Sequence, residues 1–405
     1  MERIEAVAWK VVESLEAAGF EAYLVGGCVR DKLLERNIYD YDITTSALPE
    51  EVQALFPHTV PTGIKHGTVS VREEGFQYEV TTFRTDGEYE DGRHPAEVKF
   101  VRSLEEDLAR RDLTINAMAL GRDGTLHDPF GGQFDLFAKR IKAVGDPVKR
   151  FEEDALRMLR AIRFAAQLQF EIEEETLQAI SEEAFRLQQI SRERIRDEWL
   201  KMLLSHADTA IQLLWETDTL RHIFSRPTVE PEPWERAAAW TADAPPDIAL
   251  RFCLVFAALE IDEPRMDKTL QGLKLPSQLK KEIRDLFALQ KTEPSPDWPD
   301  STWRQLFYIH GYETIWRRCM MRAVIHEPDK LPFWREQVAQ RREQQPIWVL
   351  SDLALTGEDL IEHGIAEGPA LGHWLKRLAQ AVLQDPSHNE KTALLQLVQD
   401  WQANS

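Results

Sequence analysis

Only three cysteines, Cys28, Cys253 and Cys319, occur in 405 residues. They are odd in number and far apart, which excludes a disulfide framework and a clustered zinc site. No run of about 18 apolar residues is long enough to span a membrane, and no N-terminal apolar stretch reads as a secretion signal. A cytoplasmic protein with no membrane partner is expected. Positive charge is in deficit: 49 Lys and Arg face 69 Asp and Glu, a net charge of −20. That excludes a general affinity of the whole surface for polyanions, so any nucleic acid must be met by local basic patches. Strand patterning is sparse after about residue 139, where helical periodicity takes over. The 43% hydrophobic and 29% charged content is that of a globular chain. The length exceeds one ordinary core and predicts roughly two to four domains.

Against that background residues 24–44, LVGGCVRDKLLERNIYDYDIT, stand out. A short strand, Tyr23 to Val25, runs into Gly26-Gly27, and an amphipathic turn of helix with Arg30 and Asp31 follows. A second strand then carries Asp40 and Asp42. Residues two apart on a strand share a side, so both carboxylates aim at one point while Tyr41 and Ile43 face away. Two carboxylates beside a glycine turn and an arginine point to Mg²⁺ held by hard oxygen ligands next to a triphosphate. The bare glycine backbone permits close approach of phosphate oxygens, and a helix N-terminus adds a favourable dipole.

Around this stretch Ile4, Val7, Val11 and Leu15 predict a helix that stops at Gly19. Ser46 to Phe56 reads as a capped helix with Pro49 near its first turn. Gly67 to Arg72 and Phe76 to Phe83 read as strands joined by a Glu-Glu-Gly turn. Residues 84–99 are polar and rich in turn formers, a loop. In SLEEDLARRDLTINAMAL, Leu104, Leu108 and Leu113 are core candidates, and Arg110, Arg111, Asp112 and Asn116 cluster on the polar side. An arginine fork suits phosphate oxygens, and Asp or Asn can bond ribose hydroxyls. In residues 151–169, Asp154, Arg157, Arg160 and Arg163 recur every third residue, a slanted polar ridge on one helix, with Leu156, Leu159, Ile162 and Ala166 on the apolar side.

These stretches, in this order, resemble the polymerase-β-like nucleotidyltransferases, and more closely the bacterial class II tRNA nucleotidyltransferases (CCA-adding enzymes) with their poly(A) polymerase relatives. GGxVRD…DxD is similar to the family's first motif, RRDxxxNA to its second, DPFGGxxDL to its third, EDxxRxxRxxRF to its fourth and SRERIRDEWL to its fifth. The loop with Arg93, His94 and Pro95 resembles one that helps the family switch from CTP to ATP, and residues 357–378 resemble the tail of the bacillus-type enzymes.

The resemblance implies an α+β fold: a nucleotidyltransferase head (1–138), then an elongated all-α neck (139–205), body (206–293) and tail (294–405). It implies that Asp40 and Asp42 hold Mg²⁺ and that Glu79 supplies a third carboxylate. It further implies that Gly26, Gly27, Arg30 and Arg111 hold phosphates, and that Asp112 and Asn116 orient the ribose. Arg160 and Arg163 would lie near phosphate or brace the ridge. Glu193, Arg194 and Glu198 would brace the neck helices, and DPFGGQFDL would be a structural turn.

Asp154 and Arg157 are an acceptor–donor pair that can bond the Watson–Crick edge of a base. Cytosine and adenine both present an exocyclic amine, so one such pair could take CTP and ATP and refuse UTP and GTP. The implied reaction adds CCA to the tRNA 3′ end without a template and releases pyrophosphate. A-only addition, CC-only addition or poly(A) synthesis is the alternative. The implied partner is tRNA, at its 3′ end and its acceptor and T arms; a homodimer stays open. Lys274, Lys280, Lys281 and Arg284, and farther on Arg317, Arg318, Arg322, Arg335, Arg341 and Arg342 among Trp316, Phe333 and Trp334, suit either an RNA backbone or ordinary packing.

Overall fold

The computed structural model describes residues 2–86, 98–224 and 230–403. It divides into two compact units, Met1–Ala238 with Gln271–Lys274, and Ala239–Leu270 with Leu275–Ser405. The first is α+β and the second helical.

In the first unit, α1 (Glu2–Ala17) buries Val7, Val11 and Leu15 and stops at Gly19, whose φ is +90°. Strand β1 (Ala22–Val25) leads into the short helix α2 (Gly27–Leu33), and β2 (Asp42–Thr45) returns antiparallel to β1. Helix α3 (Pro49–Leu55) follows. Its cap is Leu48, whose amide donates to Glu51 Oε2 at 2.7 Å; Ser46 instead accepts from the Glu21 amide.

Strands β3 (Thr59–Gly63), β4 (Thr68–Glu73) and β5 (Phe76–Thr82) complete one side of the sheet. Glu74 and Gly75, both with positive φ, make the tight turn between β4 and β5, as a two-residue hairpin requires. β6 (Arg84–Asp86) and β7 (Val98–Phe100) form a separate two-stranded ladder. Both ends of the expected 84–99 loop are thus strand. Arg93, His94 and Pro95 lie outside the described residues.

Helix α4 (Leu104–Ala109), β8 (Ala119–Leu120), β9 (Leu126–His127) and α5 (Gly132–Phe137) close the head. The seven-stranded sheet runs β3-β4-β5-β2-β1-β8-β9, with only β2 and β5 parallel. Its register sets Asp42 opposite Val25 on one neighbour and opposite Glu79 on the other.

Beyond the sheet, β10 (Arg140–Ile141) and β11 (Glu171–Ile172) pair in parallel. The helices of the rest of this unit are α6 (Pro147–Glu153), α7 (Leu156–Leu168), α8 (Glu174–Glu183), α9 (Arg192–Leu203), α10 (Ala207–Glu216) and α11 (Leu220–Ile223). Leu156, Leu159, Ile162 and Ala166 of α7 are buried, as their spacing predicts. Asp154 is not part of that helix. It sits between α6 and α7 with φ −148°, and its Oδ1 accepts from the Leu156 amide at 3.0 Å. An aspartate that bonds the amide two residues on closes a local turn that competes with continued helix, which is the physical reason for the break.

The division between the units falls within helix α12 (Pro231–Asp243), after which α13 (Ile248–Ala258), α14 (Glu263–Gly272), α15 (Ser277–Ala288), α16 (Asp300–His310), α17 (Tyr312–His326), α18 (Leu331–Glu343), α19 (Gly357–Glu362), α20 (Pro369–Gln384) and α21 (Lys391–Ala403) follow. Gly368 caps α20 ahead of Pro369, and Leu394 and Val398 of α21 are fully buried. The second unit's basic residues are largely partnered within it. Arg317 pairs with Asp247 and Glu282, and Arg284 with Asp267. Arg318 is buried and donates to the Leu289 carbonyl, while Arg322 pairs with Glu327 and lies over Trp334. Packing therefore accounts for most of the basic and aromatic interleaving.

Asp128 caps α5, accepting from the Gly132 and Gln133 amides at 2.7 and 2.8 Å, and Asp135 accepts from Thr114 Oγ1 at 2.7 Å. A Cβ on Gly132 would stand 2.2 Å from the Thr114 carbonyl oxygen, whereas one on Gly131 meets open space. Gly132→Ala should cost about 3 kcal/mol, since backbone must move. Gly131→Ala should cost about 1 kcal/mol, for its positive φ alone. Melting temperatures of the two variants test this, and the reverse ranking would mean that the turn does not pack as described.

Candidate active site

Asp42 opens β2, and Asp40 lies two residues ahead of it, outside the strand. Tyr41 between them is buried, with its hydroxyl donating to Glu5 Oε2 of α1 at 3.3 Å. That anchor turns the two flanking carboxylates the other way. The Asp42 carboxyl is pushed up to about 6, first by burial and then by the charges of Asp40 and Glu79, with Arg111 partly offsetting them. Negative charge thus converges here without full compensation, a donor set that suits a divalent cation.

Glu79 is not gathered into a third ligand. It is exposed on the neighbouring strand. Among the described residues no three of His, Cys, Asp or Glu are grouped to hold a metal ion.

Gly26 caps α2 with φ +78° and ψ −127°, and its amide donates to the Met118 carbonyl at 3.1 Å. A Cβ there would stand 3.0 Å from Arg111 Nη1. The missing side chain is what lets Arg111 lie along the turn. The Cys28 thiol is buried, which pushes it up to about 12, and Sγ donates to the Val25 carbonyl at 3.3 Å. It is packing, not a nucleophile.

Two buried carboxylates organise the arginines. Asp107, fully buried, accepts from Thr44 Oγ1 at 3.1 Å, from the Arg84 amide at 3.3 Å and from Arg110 Nη2 at 2.8 Å; Arg111 Nη2 lies 3.5 Å away. Burial raises its pKa, but Arg110 and Arg111 outweigh that and hold it below the ordinary range. Asp112 accepts from Arg160 Nε at 2.6 Å and from Asn116 Nδ2 at 3.3 Å. Burial opposes its ionisation too, and Arg160 and Arg157 outweigh it. Asn116 Oδ1 in turn accepts from Arg30 Nη1 at 2.7 Å, and Arg30 forks onto Asp31 at 3.0 and 2.8 Å.

The residues expected to read the base also have partners. Asp154 is forked by Arg194 at 3.1 and 2.7 Å. Arg157 pairs with Glu153 and donates to the Arg150 carbonyl at 3.2 Å and the Arg110 carbonyl at 3.0 Å. Arg163 pairs with Glu198 and donates to Gln167. No role was assigned from sequence to Asp107, Glu153 or Phe164, although the last two are fixed letters of the EDxxRxxRxxRF stretch. Asp107 lies three and four residues before Arg110 and Arg111, and Glu153 lies four before Arg157, spacings that signal ion pairs.

A mixed sheet presenting paired carboxylates beside a glycine turn, with an arginine cluster against it, defines a nucleotidyltransferase head. The family profile described as "Poly A polymerase head domain" matches residues 22–142, and that for "tRNA nucleotidyltransferase domain 2" matches residues 247–398. The chain is 42% identical to the CCA-adding enzyme of Anoxybacillus flavithermus, covering 96% of this chain and 95% of that one. It is 37% identical to the CCA-adding enzyme of Lactobacillus helveticus, covering 97% and 96%. The solved structure of the Bacillus stearothermophilus CCA-adding enzyme in complex with CTP superposes with a TM-score of 0.80 at 36% identity, covering 99% of each chain. The chain belongs to the CCA-adding enzyme family of tRNA nucleotidyltransferases, which generally use a divalent metal.

A carboxyl whose folded pKa lies above its unfolded one stabilises the fold below the unfolded value, and that contribution is lost as pH rises through the folded value. For Asp42 the window closes at about pH 6. Asp42→Asn should therefore raise the melting temperature at pH 8, by at most roughly 3 kcal/mol of stability, and change it little at pH 4. An equal shift at both pH values would show that Asp42 is not held against other negative charge.

Proposed function

We propose that this chain completes the 3′ end of tRNA with C, C and A from CTP and ATP, releasing pyrophosphate, with the protein in place of a template. The observation that carries the reading is the bond from Arg157 to the Arg110 carbonyl. It brings the residues suited to a base edge directly against those suited to phosphate and ribose. Asp40 and Asp42 would hold Mg²⁺, a hard cation suited to their carboxylate oxygens. When bound, the metal neutralises triphosphate charge and lowers the pKa of the primer hydroxyl.

Gly26, Gly27 and Arg111 take the phosphates. Arg30, buried and with each guanidinium nitrogen bonded to Asp31 or Asn116, acts there through Asn116. Asp112 and Asn116 orient the ribose, and Asp154 and Arg157 read the base. Three of the roughly four lone-pair sites of the Asp154 carboxylate are filled by Arg194 and the Leu156 amide, leaving one for an exocyclic amine. Cytosine and adenine offer that amine; uracil and guanine present a carbonyl at the same place. Arg160 and Arg163 brace this end, and Glu79 adds negative potential from the next strand. Body and tail, 206–293 and 294–405, meet tRNA chiefly by shape.

Purified protein with Mg²⁺ is given tRNA transcripts ending in the discriminator base, in C or in CC, with CTP, ATP or both, and products are sized to one nucleotide. The first transcript should gain CCA and stop. Extension of the CC transcript alone, or a halt at CC with ATP present, would replace the reading with a narrower activity of the same fold. Asp42→Ala should lower addition at least about a thousandfold while tRNA binding persists. Asp154→Ala should cut discrimination against UTP by roughly tenfold or more, because the unmatched carbonyl no longer faces a carboxylate.

A further inference from the structure

Three arginines of the site converge on one aromatic ring. The guanidinium carbons of Arg163, Arg30 and Arg160 lie 3.9, 4.8 and 5.6 Å from the centroid of Phe164. Phe164 is buried at 7% exposure, and Arg30 and Arg163 are equally enclosed. Arg30 comes from α2 of the head, whereas the other two stand on α7 with the ring. Each cation has its own acid: Asp31 for Arg30, Asp112 for Arg160 and Glu198 for Arg163. Those acids lie on α2, in the segment after α4 and on α9, so the shared ring is the common surface that fixes the three guanidinium groups relative to one another. Nothing in the reaction requires a phenyl group, and an aliphatic side chain would fill the same volume.

We propose that Phe164 is a positioning residue for the nucleotide, acting through the faces it offers to Arg30 and Arg160. Arg30 donates to Asn116, and Arg160 donates to Asp112. The two residues suited to the ribose are thereby each held from behind by an arginine stacked on the same ring. The attraction is that of a cation for the negative face of a ring quadrupole, and it is strongest where water is excluded. The inference rests on the nucleotide-adding reading above.

The test replaces Phe164 in the full chain with phenylalanines carrying one, two and three ring fluorines, which preserve shape while withdrawing charge from the ring face, and with leucine. Steady-state kinetics are read with CTP, Mg²⁺ and tRNA ending in the discriminator base, and melting temperatures are recorded in parallel. The KM for CTP should rise by a factor of about two with each fluorine and about tenfold in Phe164→Leu, with kcat changed far less. The fluorinated proteins should melt close to wild type. A KM that is flat across the fluorine series would overturn the proposal and leave the ring as packing, whatever Phe164→Leu does. If the unmodified protein adds no nucleotide, the functional reading itself falls and takes this inference with it. An active wild type with a flat series removes the inference alone.

Discussion

The paired buried carboxylates Asp107 and Asp112 are the constraint on which the site depends. They stand on either side of Arg110 and Arg111 in one short segment, and each is joined to a different part of the fold. Asp107 reaches Thr44 of β2 and the first amide of β6. Asp112 reaches Arg160 of α7. An ionised carboxylate at this depth is tolerated only because several charged donors converge on it. Each donor lost weakens that compensation, which ties the sheet, the RRD segment and α7 to one mutual arrangement. That arrangement puts Arg111 across from Asp42 and Arg157 against the Arg110 carbonyl.

The arginines are accordingly less available than their number suggests. Arg30, Arg110, Arg157, Arg160 and Arg163 each have a carboxylate within the unit. The array is close to neutral as a whole, though rich in charged donors. Such an array gives direction rather than bulk attraction: its dipoles are set before a ligand arrives, with little left to reorganise. This fits a chain of net charge −20, in which unspecific attraction for polyanions is weak. The second unit repeats the pattern. Arg317, Arg318 and Arg322 spend their charge on neighbouring acids and carbonyls, and Arg341, Arg342 and Arg377 lie over Trp303, Tyr312 and Trp401.

Much of the fold was legible because it rests on short-range rules. The helix stop at Gly19, the Glu-Glu-Gly turn and the alternation of β5 follow from backbone freedom and period two. The apolar side of α7 follows from the helical period. The errors came where a side chain competed with the backbone pattern. A spacing of three put Asp154 on a helix, yet an aspartate bonds its own neighbouring amides readily and here closes a turn just before α7 instead. Asp40 shares a side with Asp42 but falls short of the strand, since the pairing with β1 ends at Val25. Arg194 and Glu198 were expected as braces, but the residues they pair with were not legible. Arg163 with Glu198 and Arg194 with Asp154 are separated by 35 and 40 residues, and no local periodicity encodes such pairs.

The same physics explains why the centre of the site is its least settled part. Around Asp107 and Asp112 positive charge outweighs burial, and both acids are more acidic than usual. Around Asp42 the balance is reversed: burial and two acids outweigh one arginine, and the carboxyl is less acidic than usual. An evolved fold could have placed one more arginine there and gained stability. The cost would be function, because a carboxylate already neutralised by protein has little affinity left for a cation. On the proposed reading, the repulsion between Asp40 and Asp42 is binding capacity kept for a cation rather than a defect of packing. It is held in place by Tyr41 anchored to α1 on one side and by the well-compensated acids on the other, and it is relieved when positive charge arrives from outside the chain.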